Sequence, residues 1–358
     1  MNGKRMLNQG IFRVIHSNGF YCHAHSILPT EHINVMSMHH TVYRDQPLFD
    51  AYEQQVAQDW LPIEIMQLSA GQYRGHYREM GNDDVRIVLE QQNQIVHKRA
   101  IIEQDFCTVS FARSANNQVR VSEYEGFENS LFFLPANVEV DIQAGIDVET
   151  VYFRFEQSAF LESASAINPQ LWERAADNVM PFSEVNRQPL EMFIDYLCQL
   201  SAMNSLHSLC EQQENMNLSV MEYVLLSMDS SLLPDGQASD VLSRRRATIS
   251  VRQAINYIHA KLESHTCPTI LDICKDLYIS QRNLQYNFKK VVGMTPNAYL
   301  YRLRLNKARS QLLCPADISV TVTQVASEWH FWHLGRFSND YLHLFGELPS
   351  TTLRRAYN

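Results

Sequence analysis

What this 358-residue sequence lacks narrows its function first. No apolar run is long enough to span a bilayer, and the polar N-terminus does not read as a signal peptide, so a cytoplasmic protein with no membrane partner is expected. The seven cysteines, at 22, 107, 198, 210, 267, 274 and 314, are odd in number and form no CxxC pair. Buried or incidental thiols in a reduced chain are the default. GxSxG, Walker-type and HExxH motifs are all missing. So are the clustered His and carboxylate ligands that a small metal-dependent barrel needs, since residues 63–155 hold only His76 and His97. His23 and His25, beside Cys22, make half a metal site with no second ligand pair, and His16, His32, His39 and His40 are scattered. No catalytic residue, metal site, cofactor or effector-binding residue is assigned, and an enzyme is not expected.

An overall basic balance is also lacking. The formal net charge is −9, yet from Thr248 onward there are 13 Lys+Arg against 7 Asp+Glu, which makes that part +6 and leaves −15 elsewhere. A basic C-terminal module on an acidic body fits binding of a polyanion by one part of the chain.

The stretch from Thr269 to Leu353 contains one unit twice. Phe288 matches Tyr341, Val292 Phe345, Gly293 Gly346 and Pro296 Pro349, each at an offset of 53. Cys274 and Ala326 match at 52, which places one extra residue in the second turn. In the first copy Leu271, Cys274 and Leu277 recur at helical spacing, the pattern breaks at Tyr278-Ile279-Ser280, and Leu284, Phe288 and Val291 resume it. Val322, Val325, Ala326 and Trp329, then Leu334, Phe337, Tyr341 and Leu344, repeat this in the second copy. Ser280 can cap the helix that follows it, and Thr269 with Asp272 resembles a capping box. Thr295-Pro296 starts a long connecting helix, whose Leu300, Leu303, Leu305, Ala308 and Leu312 face both copies. Each copy reads as a helix-turn-helix, the motif whose second helix enters the DNA major groove. A plain helical bundle with two similar hairpins is the bland alternative.

These residues, together with YLYRLRLNKARSQLL, Phe331, Phe337, Phe345 and Gly346, resemble the AraC/XylS family of bacterial transcription regulators over roughly the last hundred residues. FWHLGRFSNDYLHLFGELPSTTL further resembles a subset that includes the ethanolamine-utilisation regulator of enterobacteria. The family has Gly at the turn positions held here by Tyr278 and His330, so turns that are altered but not lost are expected. Matching to the family motif puts Arg282, Gln285 and Tyr286 at base-reading positions, with Gln281 beside them off the apolar stripe. Arg forks onto guanine and Gln pairs with adenine. The equivalent face of the second helix holds His333, Gly335, Arg336, Ser338 and Asn339, a set weaker in base-reading chemistry and more suited to shape or phosphate contacts. Lys289, Lys290, Arg302, Arg304 and Lys307 are candidate phosphate contacts.

Between Ile63 and Phe155 the period is two, as in Val138, Val140 and Ile142 or Val151, Phe153 and Phe155. Short strands separated by Asn, Gly and Pro turns suggest a small antiparallel barrel or jelly roll. Phe106, Phe111, Tyr124, Phe127, Phe132 and Phe133 are candidates to line it. Stripes at Leu190, Phe193, Ile194, Leu197 and Leu200, and at Leu218, Met221, Val224, Leu225 and Met228, indicate two helices that pack on the barrel or on a second subunit. Arg244-Arg245-Arg246 closes a polar linker and is a further candidate for DNA phosphate.

The expected class is α+β multidomain. It comprises an N-terminal segment of unclear fold (1–50), a cupin-like β-barrel or jelly-roll sensor (51–160), a helical packing or dimerisation region (161–229), a linker (230–247), and an all-α DNA-binding domain with two helix-turn-helix motifs (248–358). The resemblance implies a sequence-specific, effector-responsive activator, acting as a homodimer with promoter DNA and RNA polymerase as partners. The alternatives are a constitutive DNA-binding dimer without effector, and a metal-dependent barrel enzyme fused to a DNA-binding module.

Overall fold

A computed structural model describes residues 42–358 except 103–104, 114–118, 126–128, 173–177, 184, 203–212, 229–237 and 358. The histidine-bearing stretch before residue 42, Phe127 and residues 230–237 of the expected linker lie outside the described residues.

The N-terminal part is β-rich and antiparallel. A seven-stranded sheet runs in the order β1 (Val42–Leu48), β3 (Gly75–Gly81), β4 (Val85–Gln92), β11 (Val148–Glu156), β6 (Phe106–Arg113), β9 (Leu131–Leu134), β12 (Met180–Phe182). A five-stranded sheet runs β2 (Ile63–Gln67), β5 (Val96–Ile101), β10 (Glu139–Ala144), β7 (Val119–Val121), β8 (Tyr124–Glu125). Among the described residues no ladder joins the two sheets, so they are stacked layers and not a barrel closed by hydrogen bonds. β1 and β12 carry the unit beyond residues 51–160 at both ends.

Alternation along the strands sorts side chains into two cores. Val88, Phe132, Leu134 and Tyr152 face Ile65, Val96, Val121 and Ile142 between the sheets. Ile87, Val109, Phe111, Phe133, Val151 and Phe153 face the other way, under helices. Those helices are α2 (Gln157–Ile167), α4 (Gln188–Ala202) and α5 (Gln213–Met228), with the short α1 (Ala51–Ala57) and α3 (Pro169–Trp172) alongside the sheets. Leu190, Ile194, Leu197, Val224, Leu225 and Met228 are buried against the sheet, as their spacing predicts, whereas Leu218 is exposed. The candidate lining aromatics divide: Phe106, Phe132 and Tyr124 pack between the sheets, while Phe111 and Phe133 pack under the helices. β11 is covered on both faces, which is why Thr150 and Tyr152 are buried along with Val151 and Phe153.

The C-terminal part is helical: α6 (Ala238–Glu263), α7 (Ile270–Asp276), α8 (Gln281–Val292), α9 (Pro296–Leu313), α10 (Val322–Glu328), α11 (Leu334–Phe345) and α12 (Pro349–Ala356). α9 runs through two cores. Leu300 and Leu303 pack with α6, α7 and α8, and Leu305, Ala308 and Leu312 pack with α10 and α11. α6 occupies the second half of the stretch read as a linker and continues unbroken past Thr248. Arg244 and Arg245 there pair with Glu125 at 3.3 Å and Glu123 at 3.7 Å, so part of the arginine run is held at the β7–β8 hairpin. No helix among the described residues is long and apolar enough to cross a membrane.

Candidate nucleic-acid interface

The two copies superpose in their local chemistry. α7 and α10 each have seven residues, and α8 and α11 each have twelve. Thr269 and Asp272 form a full capping box at the start of α7, and Thr321 and Gln324 form its counterpart before α10, a match not picked out in the sequence. In the first turn the Ile279 N–H donates to the Cys274 carbonyl at 3.1 Å. In the second the Phe331 N–H donates to that of Ala326 at 2.8 Å. Ser280 caps α8 by accepting from the Asn283 N–H at 3.2 Å, whereas His333, at the same point of the second copy, caps nothing with its side chain. Ile279 precedes Ser280 directly, but Trp332 stands between Phe331 and His333. The extra residue of the second turn is therefore Trp332. Gly293 and Gly346 end α8 and α11 in the left-handed region, at φ 77° and 74°.

The turns correct one expectation. Tyr278 and His330 adopt φ 52° and 61°, so the left-handed geometry is kept without glycine. The cost is about 1–2 kcal/mol per residue, tolerated because the surrounding helices fix the turn. Tyr278 is almost fully exposed.

On α8, Leu284, Phe288 and Val291 are buried, and Gln281, Arg282, Gln285, Tyr286, Lys289 and Lys290 all lie on the solvent side. Lys290 donates to the Ser243 hydroxyl at 2.9 Å. On α11, His333, Gly335, Arg336 and Asn339 are exposed and Ser338 is half-buried. Arg336 lies 3.4 Å from Asp340, whose carboxylate also accepts from the Tyr301 hydroxyl. Burial and this bond raise the Tyr301 phenol to about 12.

Two of the candidate phosphate contacts are engaged by protein groups instead. Arg304 donates to the Trp329 and His330 carbonyls at 2.8 and 2.7 Å and lies over the Phe331 ring at 4.3 Å, so it braces the second turn. Lys307 pairs with Glu64 of β2 at 2.7 Å. Arg302 is half-buried, and burial lowers its guanidinium pKa. Lys289 and Lys290 keep the exposure a phosphate contact requires.

The β unit grips the same domain, through residues that sequence reasoning passed over. Gln67 of the edge strand β2 exchanges two hydrogen bonds with the Asn306 side chain. The Leu344 carbonyl, near the end of α11, accepts from the Gly71 N–H at 3.0 Å and the Gln67 side-chain amide at 2.9 Å. A Cβ at Gly346 would sit 3.1 Å from the Gln72 backbone nitrogen, a tight contact, so glycine suits the position for space as well as for φ. Arg309, buried in α9, meets Asp50 and lies 2.9 Å from Glu347. His97 is buried between Asp141 at 3.0 Å and the Tyr299 hydroxyl at 3.1 Å. Glu64 faces Lys307 and, at 3.5 Å, His259. Burial opposes the charge on Glu64, but Lys307 and His259 outweigh it and hold the carboxyl below its ordinary range. His259 is pushed down to about 4, chiefly by burial. Asn306 and Arg309 flank the apolar positions of α9, where a sequence pattern reads as a solvated edge.

Geometry and charge define a helical module that presents two similar helices to solvent. A family profile described as a helix-turn-helix domain matches residues 273–355, which takes in most of the first copy and all of the second. The probable thc operon regulatory protein of Rhodococcus erythropolis is 36% identical over 104 residues, 29% of this chain and 31% of that protein. The XylDLEGF operon transcriptional activator 3 of Pseudomonas putida is 28% identical over 195 residues, 53% of this chain and 55% of that protein. A solved structure of a probable AraC family transcriptional regulator from Rhodopseudomonas palustris is 37% identical, covers 30% of this chain and 97% of that one, and has a TM-score of 0.28. The C-terminal domain is of the AraC/XylS helix-turn-helix type. The chain spans between about a third and just over half the length of these two curated relatives.

Proposed function

We propose that the chain is a sequence-specific DNA-binding transcription regulator, an activator responsive to a small molecule. Both copies act as helix-turn-helix motifs, with α8 and α11 as reading helices for successive major grooves. The observation that carries this reading is the repeat itself. Two units with matched helix lengths, matched capping boxes on their first helices and a left-handed residue in each turn are mounted on one helix, in a module of net charge +6. A rigid α9 fixes the spacing, which should approach one DNA turn, about 34 Å. Gln281, Arg282, Gln285 and Tyr286 then read bases, with His333, Arg336, Ser338 and Asn339 as the second set. Lys289 and Lys290 anchor phosphate.

The stacked sheets are the sensor, a cupin-like unit in this reading, and residues 161–229 with the exposed Met192, Tyr196 and Leu218 are the surface for a homodimer. Two contacts support coupling of sensor to reading head: Asn306 on Gln67, and the Leu344 carbonyl on Gly71 in the loop that follows β2. A ligand acts only through its preference for one arrangement of these parts. RNA polymerase is the partner of an activator.

A constitutive DNA-binding protein is the second reading. The observation in its favour is the inter-sheet cavity near Ser110, Val121, Ile142 and Tyr152, which has about 10 Å³ free, room for one water. Selection of duplexes from a random pool by the full chain tests DNA reading. A shift in melting temperature with a panel of metabolites then separates the responsive reading from the constitutive one.

A further inference from the structure

The two reading helices present different chemistry at the end that enters a groove. The first copy offers Ser280, Gln281 and Arg282. The second offers Trp332, His333, Leu334 and Gly335. Trp332 is the inserted residue, with no counterpart in the first copy, and it is 73% exposed. Its one described ring contact is an edge-on approach to His330 at 6.2 Å. Leu334, the first residue of α11, is 40% exposed, while the Phe331 and Phe337 rings on either side are buried. Neither exposed side chain belongs to the core packed behind α11. Each leaves apolar surface in water at a cost that the fold does not require.

We infer that Trp332 and Leu334 read thymine, by packing on its 5-methyl group in the major groove, where the first head reads by hydrogen bonds. The inference rests on the two-headed DNA reading proposed above. Thymine is the one base that offers the major groove an apolar group, and an apolar side chain is its match. The surroundings suit a nucleic acid and not an apolar protein partner: Arg336 stands exposed two residues beyond Leu334, and the domain carries the chain's positive balance. The free N–H groups at the start of α11, which His333 does not cap, lie beside the same two side chains.

The test uses deoxyuridine, which lacks only that methyl group. Duplexes are enriched from a random pool by the full chain, and the selected sequence is resynthesised with each thymine in turn replaced by deoxyuridine. Expected is a loss of about fourfold in affinity at one or more positions, the weight of one buried methylene. That loss should disappear in Trp332→Ala/Leu334→Ala while Arg282-dependent selectivity persists. Both residues are exposed, and a circular dichroism spectrum checks that the variant folds. Selective binding that is indifferent to deoxyuridine at every position overturns the inference and leaves the two-headed reading standing. So does a deoxyuridine penalty that survives in the double variant. Failure to enrich any sequence overturns the reading beneath it.

Discussion

Gln67 and Asn306 bind each other as neighbouring strands do: the Gln67 N–H donates to Asn306 Oδ1 at 2.9 Å, and Asn306 Nδ2 donates to the Gln67 carbonyl at 3.0 Å. β2 is an edge strand, and its outward backbone groups need partners. A side-chain amide of α9 supplies them, so the helix that joins the two repeated units is keyed to the sheet at one defined register. Asn306→Leu leaves both Gln67 groups buried and unpaired and should destabilise the folded chain by about 1–3 kcal/mol. Urea unfolding measures the loss, and faster hydrogen exchange at the Gln67 and Leu68 amides localises it.

The left-handed turns are a reservoir of stability. Tyr278→Gly and His330→Gly should each raise stability, by up to about 1 kcal/mol once the extra freedom of glycine in the unfolded chain is offset. Tyr278→Gly gives the cleaner result because its side chain is exposed. His330→Gly also relieves an imidazole that burial and Arg304 push below its ordinary pKa. Thermal unfolding of the two variants checks this, and a lowered midpoint for Tyr278→Gly would count against strain at that turn.

Substitutions among the basic residues should separate three roles. Arg282→Ala should cost about 1–3 kcal/mol on the selected duplex and relax preference at one base pair. Lys290→Ala should weaken binding to every duplex and flatten the salt dependence by about one ion. Lys307→Met should leave that dependence unchanged and lower stability, because Glu64 loses its closest cation. A salt titration of the three variants beside the parent distinguishes these outcomes.

Acid should loosen the contact between sheet and helices. His259 titrates near 4 in the folded chain against about 6.5 when unfolded, so between those values the unfolded chain binds more protons and stability rises with pH. Its contribution is full above about 6.5 and is lost as pH falls toward 4. Glu64, held below its ordinary range, loses its contribution further down. Between pH 7 and 5 the His259 share is up to about 2 kcal/mol. Unfolding free energies at pH 7, 6 and 5 should fall in sequence, and His259→Gln should flatten the fall.

The helical domain was legible in the sequence because its information is local. Cap residues, apolar stripes and terminal glycines each act within a few positions, and their duplication fixed the turn to the residue. The strands were legible as strands, and a jelly roll was one of the two arrangements expected, but the burial of Thr150 and Tyr152 was not legible, since their partners lie far away in the chain. The intrachain partners of Arg304 and Lys307 are not visible in the sequence for a related reason. A basic residue on a helix looks like a phosphate contact until Glu64 or the Trp329 carbonyl is brought against it by the fold. Tyr278 and His330 kept their turns because tertiary packing outweighs about 1–2 kcal/mol of local strain.

The central claim is that α8 and α11 enter successive grooves on one face of a duplex. Hydroxyl-radical footprinting of the full chain on its selected duplex tests it most directly. For each bound subunit the account predicts two protected patches about 10–10.5 base pairs apart on one face, of which Arg282→Ala weakens one and Trp332→Ala the other. A single protected patch that responds to both substitutions, or equal protection of random sequence, would contradict it.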